Sequence, residues 1–377
     1  LIAWNLNLNT RDRKLANRIA AELRETGKLE REDGKIVRDA DGNALRVPGR
    51  FTELQGGGWY IAEYGRAQIS FNLLNYEVTS LHDVFDAACE EADRVGARIT
   101  GSELVGLVPL DALLAAGDHY LARQGLTSGV PDRERIHAAV LSLGLGELAP
   151  FDPLEKVVEY RYRGRPCGLK AMSLVEFTDE LSSESPAPGG GSVAALCGSL
   201  SAALSSMVAA LTWAKTGMED VRPEMLEIGR RAQALKAWFV DAVDRDTDAF
   251  NAVLAARRLA KRTAQEQRTR DAASERANQA ATRVPLSVLD KAVEALELAR
   301  AVARSGNPAS VSDAGVGGAC ALAAAEGASL NVAINLPSIG DKAVAERMRA
   351  EQERLIARAR ELAAEVRGTV DGVLAES

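Results

Sequence analysis

With 377 residues, 46% of them hydrophobic and 26% charged, the chain is long enough for two or three domains, each with its own core. A net charge of −7 leaves no global basic field for nucleic acid, and no apolar run approaches the roughly 18 residues of a membrane span. The four cysteines, Cys89, Cys167, Cys197 and Cys320, are scattered with no CxxC pair, which argues against a disulfide framework or a zinc site and for a reducing cytoplasm.

The chain begins in an apolar alternation, Ile2, Trp4, Leu6 and Leu8, which predicts a strand. No basic segment precedes it, so it is not a signal peptide. It reads as a domain entered partway along its parent, with a trimmed terminus as the alternative. A helical period follows from Thr10 to Thr26, then a charged, Gly-rich loop or hairpin from Gly27 to Arg50. Strands are expected at Gly56–Ala62 and Ala67–Leu73, a helix at Leu81–Val95 and a strand at Ala97–Leu104. Pro109 and Pro131 each open a further helix, and a strand is expected at Lys156–Tyr162. The order βαββαβ predicts a split βαβ, ferredoxin-like domain over residues 1–165.

A linker is expected at 166–172, and composition changes beyond it. Small residues dominate, Tyr is absent after Tyr162, and long helical periods replace alternation. Residues 173–377 are therefore predicted to be an all-α helical bundle, making the chain an α+β multidomain protein. Ala343–Ala375 reads as an amphipathic outer helix whose charges form a solvated face.

Histidine occurs only at His82, His119 and His137, so the helical half has neither a Ser-His-Asp triad nor a His-ligated metal of its own. Acid and base work there falls to Asp, Glu, Lys, Cys or water. A helix predicted over Pro223–Leu259 carries Phe239, Val243, Phe250 and Val253 at steps of four and three, and Asp246 falls on that stripe. Asp241, Asp244 and Asp248 fall off it. A carboxylate among apolar side chains has its pKa raised by desolvation, which suits it to proton transfer; a capping or ion-paired Asp is the structural alternative.

The segment Pro186-Ala-Pro-Gly-Gly-Gly-Ser192 leads straight into a helix. Gly189, Gly190 and Gly191 let backbone N–H groups approach a ligand, or make a tight entry with Ser192 as N-cap. Asn307 precedes Ser310, Ser312 and Asp313, where Ser310 and Asp313 have capping-box spacing. Asn331 and Asn335 share one helical face, placed to read a heterocycle edge or to pair between helices. Lys215, Arg257, Arg258, Lys261 and Arg262 lie near helix ends, as surface charge or as a hold for a carboxylate tail.

Taken together, Ser185-Pro-Ala-Pro-Gly-Gly-Gly-Ser-Val-Ala-Ala195, Asp246-Thr-Asp-Ala-Phe250, Val284-Pro285-Leu286, Gly306-Asn307 with Ser312-Asp313, and Asn331-Val-Ala-Ile-Asn335 resemble the formiminotetrahydrofolate cyclodeaminase family. Gly57-Gly-Trp-Tyr60, Gln68-Ile-Ser-Phe-Asn-Leu-Leu74, Gly101-Ser-Glu-Leu-Val-Gly-Leu-Val-Pro109 and Leu148-Ala-Pro-Phe-Asp-Pro153 resemble the C-terminal subdomain of glutamate formimidoyltransferase. In this order the halves look like the bifunctional formimidoyltransferase-cyclodeaminase family. That resemblance implies a cytoplasmic, homo-oligomeric enzyme of histidine degradation that handles reduced, polyglutamylated folate, with tetrahydrofolate as carrier and no metal.

The cyclodeaminase half would convert 5-formimidoyltetrahydrofolate to 5,10-methenyltetrahydrofolate and ammonia. Asp246 would be catalytic. Gly189, Gly190, Gly191, Ser192, Asn307, Ser312, Asp313, Asn331 and Asn335 would contact substrate. The family's transferase takes the formimino group from N-formimidoyl-L-glutamate. Its catalytic histidine belongs to an N-terminal subdomain outside this resemblance, and His82 does not match it, which implies a partial transferase. The alternative readings are a methenyltetrahydrofolate cyclohydrolase and a non-catalytic folate-binding or assembly module.

Overall fold

The computed structural model describes residues 1–163, 168–184 and 187–376; Cys167, Ser185 and Pro186 lie outside them. The chain divides into two compact units, Leu1–Arg165 and Pro166–Ser377.

The first unit runs β1 (Ile2–Leu8), α1 (Arg13–Leu23), the two-residue strands β2 (Lys28–Leu29), β3 (Arg31–Glu32), β4 (Lys35–Ile36) and β5 (Arg46–Val47), then β6 (Leu54–Ile61), β7 (Arg66–Leu73), α2 (Leu81–Arg94), β8 (Ile99–Val105), α3 (Leu110–Arg123), α4 (Asp132–Ser142), α5 (Pro153–Lys156) and α6 (Val158–Arg163). An antiparallel sheet is ordered β6-β7-β1-β8. Ile2, Trp4, Leu6 and Leu8 are fully buried on its core face with Ile69, Phe71 and Leu73, as period-2 alternation requires. Of the loop or hairpin expected at Gly27–Arg50, the structure has two small antiparallel ladders, β2 with β5 and β3 with β4.

Two expectations need correction. Pro109 and Pro131 sit at the N-cap of α3 and α4, one residue before the helix proper. Lys156–Tyr162 is not a strand: only Val157 bridges in parallel to Val108 before the chain coils into α6. Pro109 offers no side-chain acceptor to α3, and Glu159 Oε2 supplies one, accepting from Leu110 N–H at 2.7 Å.

His82, in the first turn of α2, stacks on His119 of α3 with ring centroids 4.3 Å apart. Its Nδ1 is buried and has no hydrogen-bond partner among the described residues. Burial, and next the His119 ring, hold the His82 pKa below its ordinary value, while Asp83 and Asp86 oppose the shift. The unfolded chain therefore binds this proton more readily. The stability contributed is full above about pH 6.5 and is lost as pH falls below it toward the folded-state pKa. Urea midpoints should drop between neutral and mildly acidic pH, and less steeply in His82→Phe; equal slopes would show that His82 is not the group responsible.

The second unit is all-helical: α7 (Leu174–Leu181), α8 (Gly190–Ala214), α9 (Arg222–Arg257), α10 (Ala264–Ser305), α11 (Val311–Asn335) and α12 (Lys342–Glu376). Capping boxes start α7 at Ser173/Glu176 and α10 at Thr263/Glu266. α8 has no charged residue, and its small side chains let α9 lie close. A Cβ on Gly198 would stand 2.4 Å from the Phe239 ring, so glycine is what admits that fully buried ring.

By length and composition α8 and the segment Pro308–Ser338 could each cross a bilayer. In this fold both pack against α10 and each other, each burying one face. α12 buries Leu355, Ala359, Leu362 and Val366 and turns Arg360 outward to Glu326. Asp244, expected to be solvated, is half-buried. Its Oδ1 accepts from Leu169 N–H at 2.8 Å and Lys170 N–H at 3.4 Å, which fastens the start of this unit to α9.

Candidate active site in the helical unit

The stripe on α9 is buried at Phe239 and Val243 but leaves the core beyond them: Asp246 is half-buried and Phe250 exposed. The physical reason is the position of α8. It begins at Gly190, beside Asp246, and does not extend over the α9 positions beyond. The stripe there lines a cavity of about 240 Å³ instead. Ala187, Gly189, Gly190 and Gly191 line it beside Asp246, Thr247 and Phe250, with Asn278 and Ala281 from α10 and Asn331 and Asn335 from α11.

Asp246 sits against the first turn of α8. Gly191 allows this approach, since a Cβ there would lie 2.1 Å from Asp246 Oδ1. Burial raises the Asp246 pKa above its ordinary value, and hydrogen bonds from the Ser192 backbone N–H and side chain oppose that rise without cancelling it. The result is a carboxyl group that favours the neutral form more than a solvated Asp does, in a cavity where it can give or take a proton.

Ser192 is neither the N-cap nor a cavity residue. Gly189 is the N-cap, and Ser192 is fully buried, its hydroxyl within reach of both the Asp246 carboxyl group and Val243 O at 3.0 Å, with one proton to give to either. Its place one residue past Gly191 turns it inward between α8 and α9, against Asp246. Ser192→Ala should therefore raise the Asp246 pKa further, read by NMR titration of the labelled carboxyl carbon. An unchanged titration would contradict the hydrogen-bond assignment.

Asn331 and Asn335 are held by backbone carbonyls. Asn331 Nδ2 donates to Gly327 O at 2.7 Å and Asn335 Nδ2 donates to Ala281 O at 2.9 Å. The second bond follows from Pro285 inside α10. A residue four positions after Ala281 would normally donate to its carbonyl, and proline has no N–H, so that acceptor is free for Asn335. Asn278 Nδ2 likewise donates to Ser338 O at 2.6 Å. Three carboxamides are thus fixed by one N–H each, with their oxygens and second N–H groups left for a ligand. Thr247 Oγ1 is buried at the cavity with no hydrogen-bond partner among the described residues.

Asn307, Ser312 and Asp313 do not join this group. They lie at the opposite end of α11, and the 18 residues from Asp313 to Asn331 span about 27 Å of helix. Asn307 N–H donates to Thr212 Oγ1 at 2.8 Å and its Oδ1 accepts from Ala309 N–H, so it secures the turn into α11. Ser312 is exposed, and Ser310 caps α11 by position without a side-chain bond, so the expected capping box is not made. Within one chain, helix length separates residues that the family resemblance had grouped. Of the five basic residues near helix ends, only Arg257 lines the cavity. Thr247, Asn278 and Ser338 were not anticipated; Asn278 lies in a polar stretch of α10 with no apolar stripe to mark its inner face.

Among the described residues no three His, Cys, Asp or Glu side chains cluster as a metal-holding group.

Family models match both units: "Formiminotransferase domain" over residues 3–163 and "Formiminotransferase-cyclodeaminase" over residues 173–354. Formimidoyltransferase-cyclodeaminase of Rattus norvegicus is 37% identical over 98% of this chain, which spans 66% of that protein's length. A methenyltetrahydrofolate cyclohydrolase of Methylorubrum extorquens is 38% identical over 48% of this chain and 88% of its own. The crystal structure of formiminotetrahydrofolate cyclodeaminase from Thermotoga maritima superposes with a TM-score of 0.50 at 28% identity, covering 55% of this chain and all of that one. With a domain of the same two-part architecture matched in each unit, the chain belongs to the formiminotransferase-cyclodeaminase family.

Proposed function

We propose that the helical unit is a cyclodeaminase that closes 5-formimidoyltetrahydrofolate to 5,10-methenyltetrahydrofolate with release of ammonia. The observation that carries this reading is Asp246, a carboxyl group with a raised pKa at the floor of a carboxamide-lined cavity. N10 of the folate attacks the carbon of the protonated formimino group (an amidinium) and loses its proton; the formimino nitrogen gains that proton and departs as ammonia, leaving the methenyl cation. Both transfers suit one acid/base group beside a substrate held by Asn331, Asn335 and the Gly189–Gly191 turn. In the proposal Ser192 tunes Asp246 and does not touch substrate, and Asn307, Ser312 and Asp313 have no contact role within one chain.

For the α/β unit, whose strand order fits a ferredoxin-like domain, we propose a part in moving the formimino group from N-formimidoyl-L-glutamate to tetrahydrofolate, within histidine degradation. His82 and His119 have no catalytic role in it. The bundle also presents an apolar face, with Leu200, Met207 and Leu211 on α8 and Val316, Leu330 and Ile334 on α11 all exposed. Two adjacent 25-residue helices, about 37 Å long at about 9 Å spacing, offer on the order of 700 Å², close to what each partner of a stable dimer buries. A second copy of the chain is the proposed occupant.

The similarity to the Methylorubrum protein favours a second reading, hydrolysis of the methenyl product at the same carbon. Supplying 5-formimidoyltetrahydrofolate and following methenyl absorbance together with ammonia separates the two. Equal appearance of both supports cyclodeamination. Supplied with 5,10-methenyltetrahydrofolate instead, loss of methenyl absorbance without ammonia supports the cyclohydrolase, and folate binding with neither reaction supports a holding module.

A further inference from the structure

We infer that Arg257 is a specificity residue that holds the carboxylate end of the folate's glutamate arm, an inference that rests on the cyclodeaminase reading above. Asp246 and Arg257 are the only charged side chains lining the cavity among the described residues. Eleven residues separate them on α9, about three helical turns, so they share a face about 16 Å apart. Phe250, Val253 and Leu254 lie between them on the same wall. The order along that wall is acid, apolar strip, cation.

The proposed substrate has the matching order: a reacting heterocycle, an aminobenzoyl ring and an anionic glutamate. Cavity size supports this alignment. About 240 Å³ is below the range of roughly 300–1,000 Å³ typical of sites that enclose a whole ligand. One ring system fits beside Asp246, and the rest of the molecule must run out along the apolar strip to the mouth. Arg257 stands there, exposed, with no ion-pair or hydrogen-bond partner among the described residues. A guanidinium pairs with a carboxylate through two parallel N–H bonds, so it can fix the arm without contacting the reacting carbon. Arg258, Lys261 and Arg262 extend positive charge past the mouth but do not line the cavity.

The test compares 5-formimidoyltetrahydrofolate with 5-formimidoyltetrahydropteroate, which lacks the glutamate, on the full chain and on Arg257→Gln and Arg257→Lys. For the glutamate-bearing substrate, Arg257→Gln should raise KM about five- to tenfold with kcat little changed, and Arg257→Lys should recover part of the loss. The wild-type KM should rise with salt, and that of Arg257→Gln should rise less, since Arg258, Lys261 and Arg262 remain. With the pteroate substrate the three proteins should have similar KM.

An equal loss on both substrates, or none on either, would overturn the assignment. Should the wild type turn over neither substrate, the cyclodeaminase reading fails. Calorimetric binding of tetrahydrofolate against tetrahydropteroate still tests Arg257: it must favour the glutamate-bearing ligand in the wild type and lose that preference in Arg257→Gln.

Discussion

Asp246→Asn should lower kcat for ammonia release by about two to four powers of ten, the usual contribution of a positioned acid/base group, while the bundle stays folded. The substitution keeps the shape of the side chain and a hydrogen-bond acceptor for Ser192 but removes the titrating proton. Its effect on stability has a definite sign. Burial raises the folded-state pKa of Asp246, so its contribution to stability is full below the unfolded-state value near 3.9 and is lost as pH rises through the folded-state pKa. At neutral pH the native aspartate therefore opposes folding, and Asn should leave the melting temperature unchanged or higher. Turnover lost with an intact Tm identifies a chemical role. A variant with both Tm and turnover reduced would point to a capping role at α8 instead.

Gly191→Ala should be the most damaging single change that adds no charge and removes no functional group. The new methyl would lie 2.1 Å from Asp246 Oδ1, a separation that atoms do not tolerate, so the carboxylate must swing away. A misplacement of about 1 Å in a catalytic group costs on the order of a hundredfold in rate. Alanine is also favoured over glycine inside helices by up to about 1 kcal/mol, which offsets part of the strain, so thermal stability should fall little. The neighbouring Gly190→Ala is expected to lose less, because its nearest atom, Asn331 Nδ2, is 3.4 Å away. Steady-state kinetics on the two alanine variants, with Tm alongside, checks the contrast; equal losses would mean that the turn needs glycine for backbone reasons unrelated to Asp246.

Much of this was legible in the sequence, for identifiable reasons. The alternation in β1 and the long periods of α9 and α12 set secondary structure through which side chains must be buried. Asp246 stood out because it interrupts an apolar stripe. What the stripe could not show was where its cover ends: the helix start at Gly190 turns core positions beyond Val243 into cavity wall. Pro285 and Asn335 lie 50 positions apart, and only the packing of α10 on α11 shows that the proline frees the carbonyl the asparagine binds. Asn307, Ser312 and Asp313 were grouped with the site by the family resemblance of their motif, which does not say which end of a 25-residue helix each occupies in one chain. Where a strand was expected at Lys156–Tyr162 the chain forms α6, from which Glu159 caps α3 across 49 positions, a long-range contact that local alternation does not encode.

The most direct test of the central claim is the pH dependence of kcat for ammonia release, measured on wild type and Asp246→Asn in parallel. The account predicts a wild-type inflection above the ordinary aspartate range, from a group whose pKa burial has raised, and a low, flat profile in the variant. The same inflection persisting in Asp246→Asn would show that another group carries the proton, and would contradict the assignment of Asp246 as the acid/base of this site.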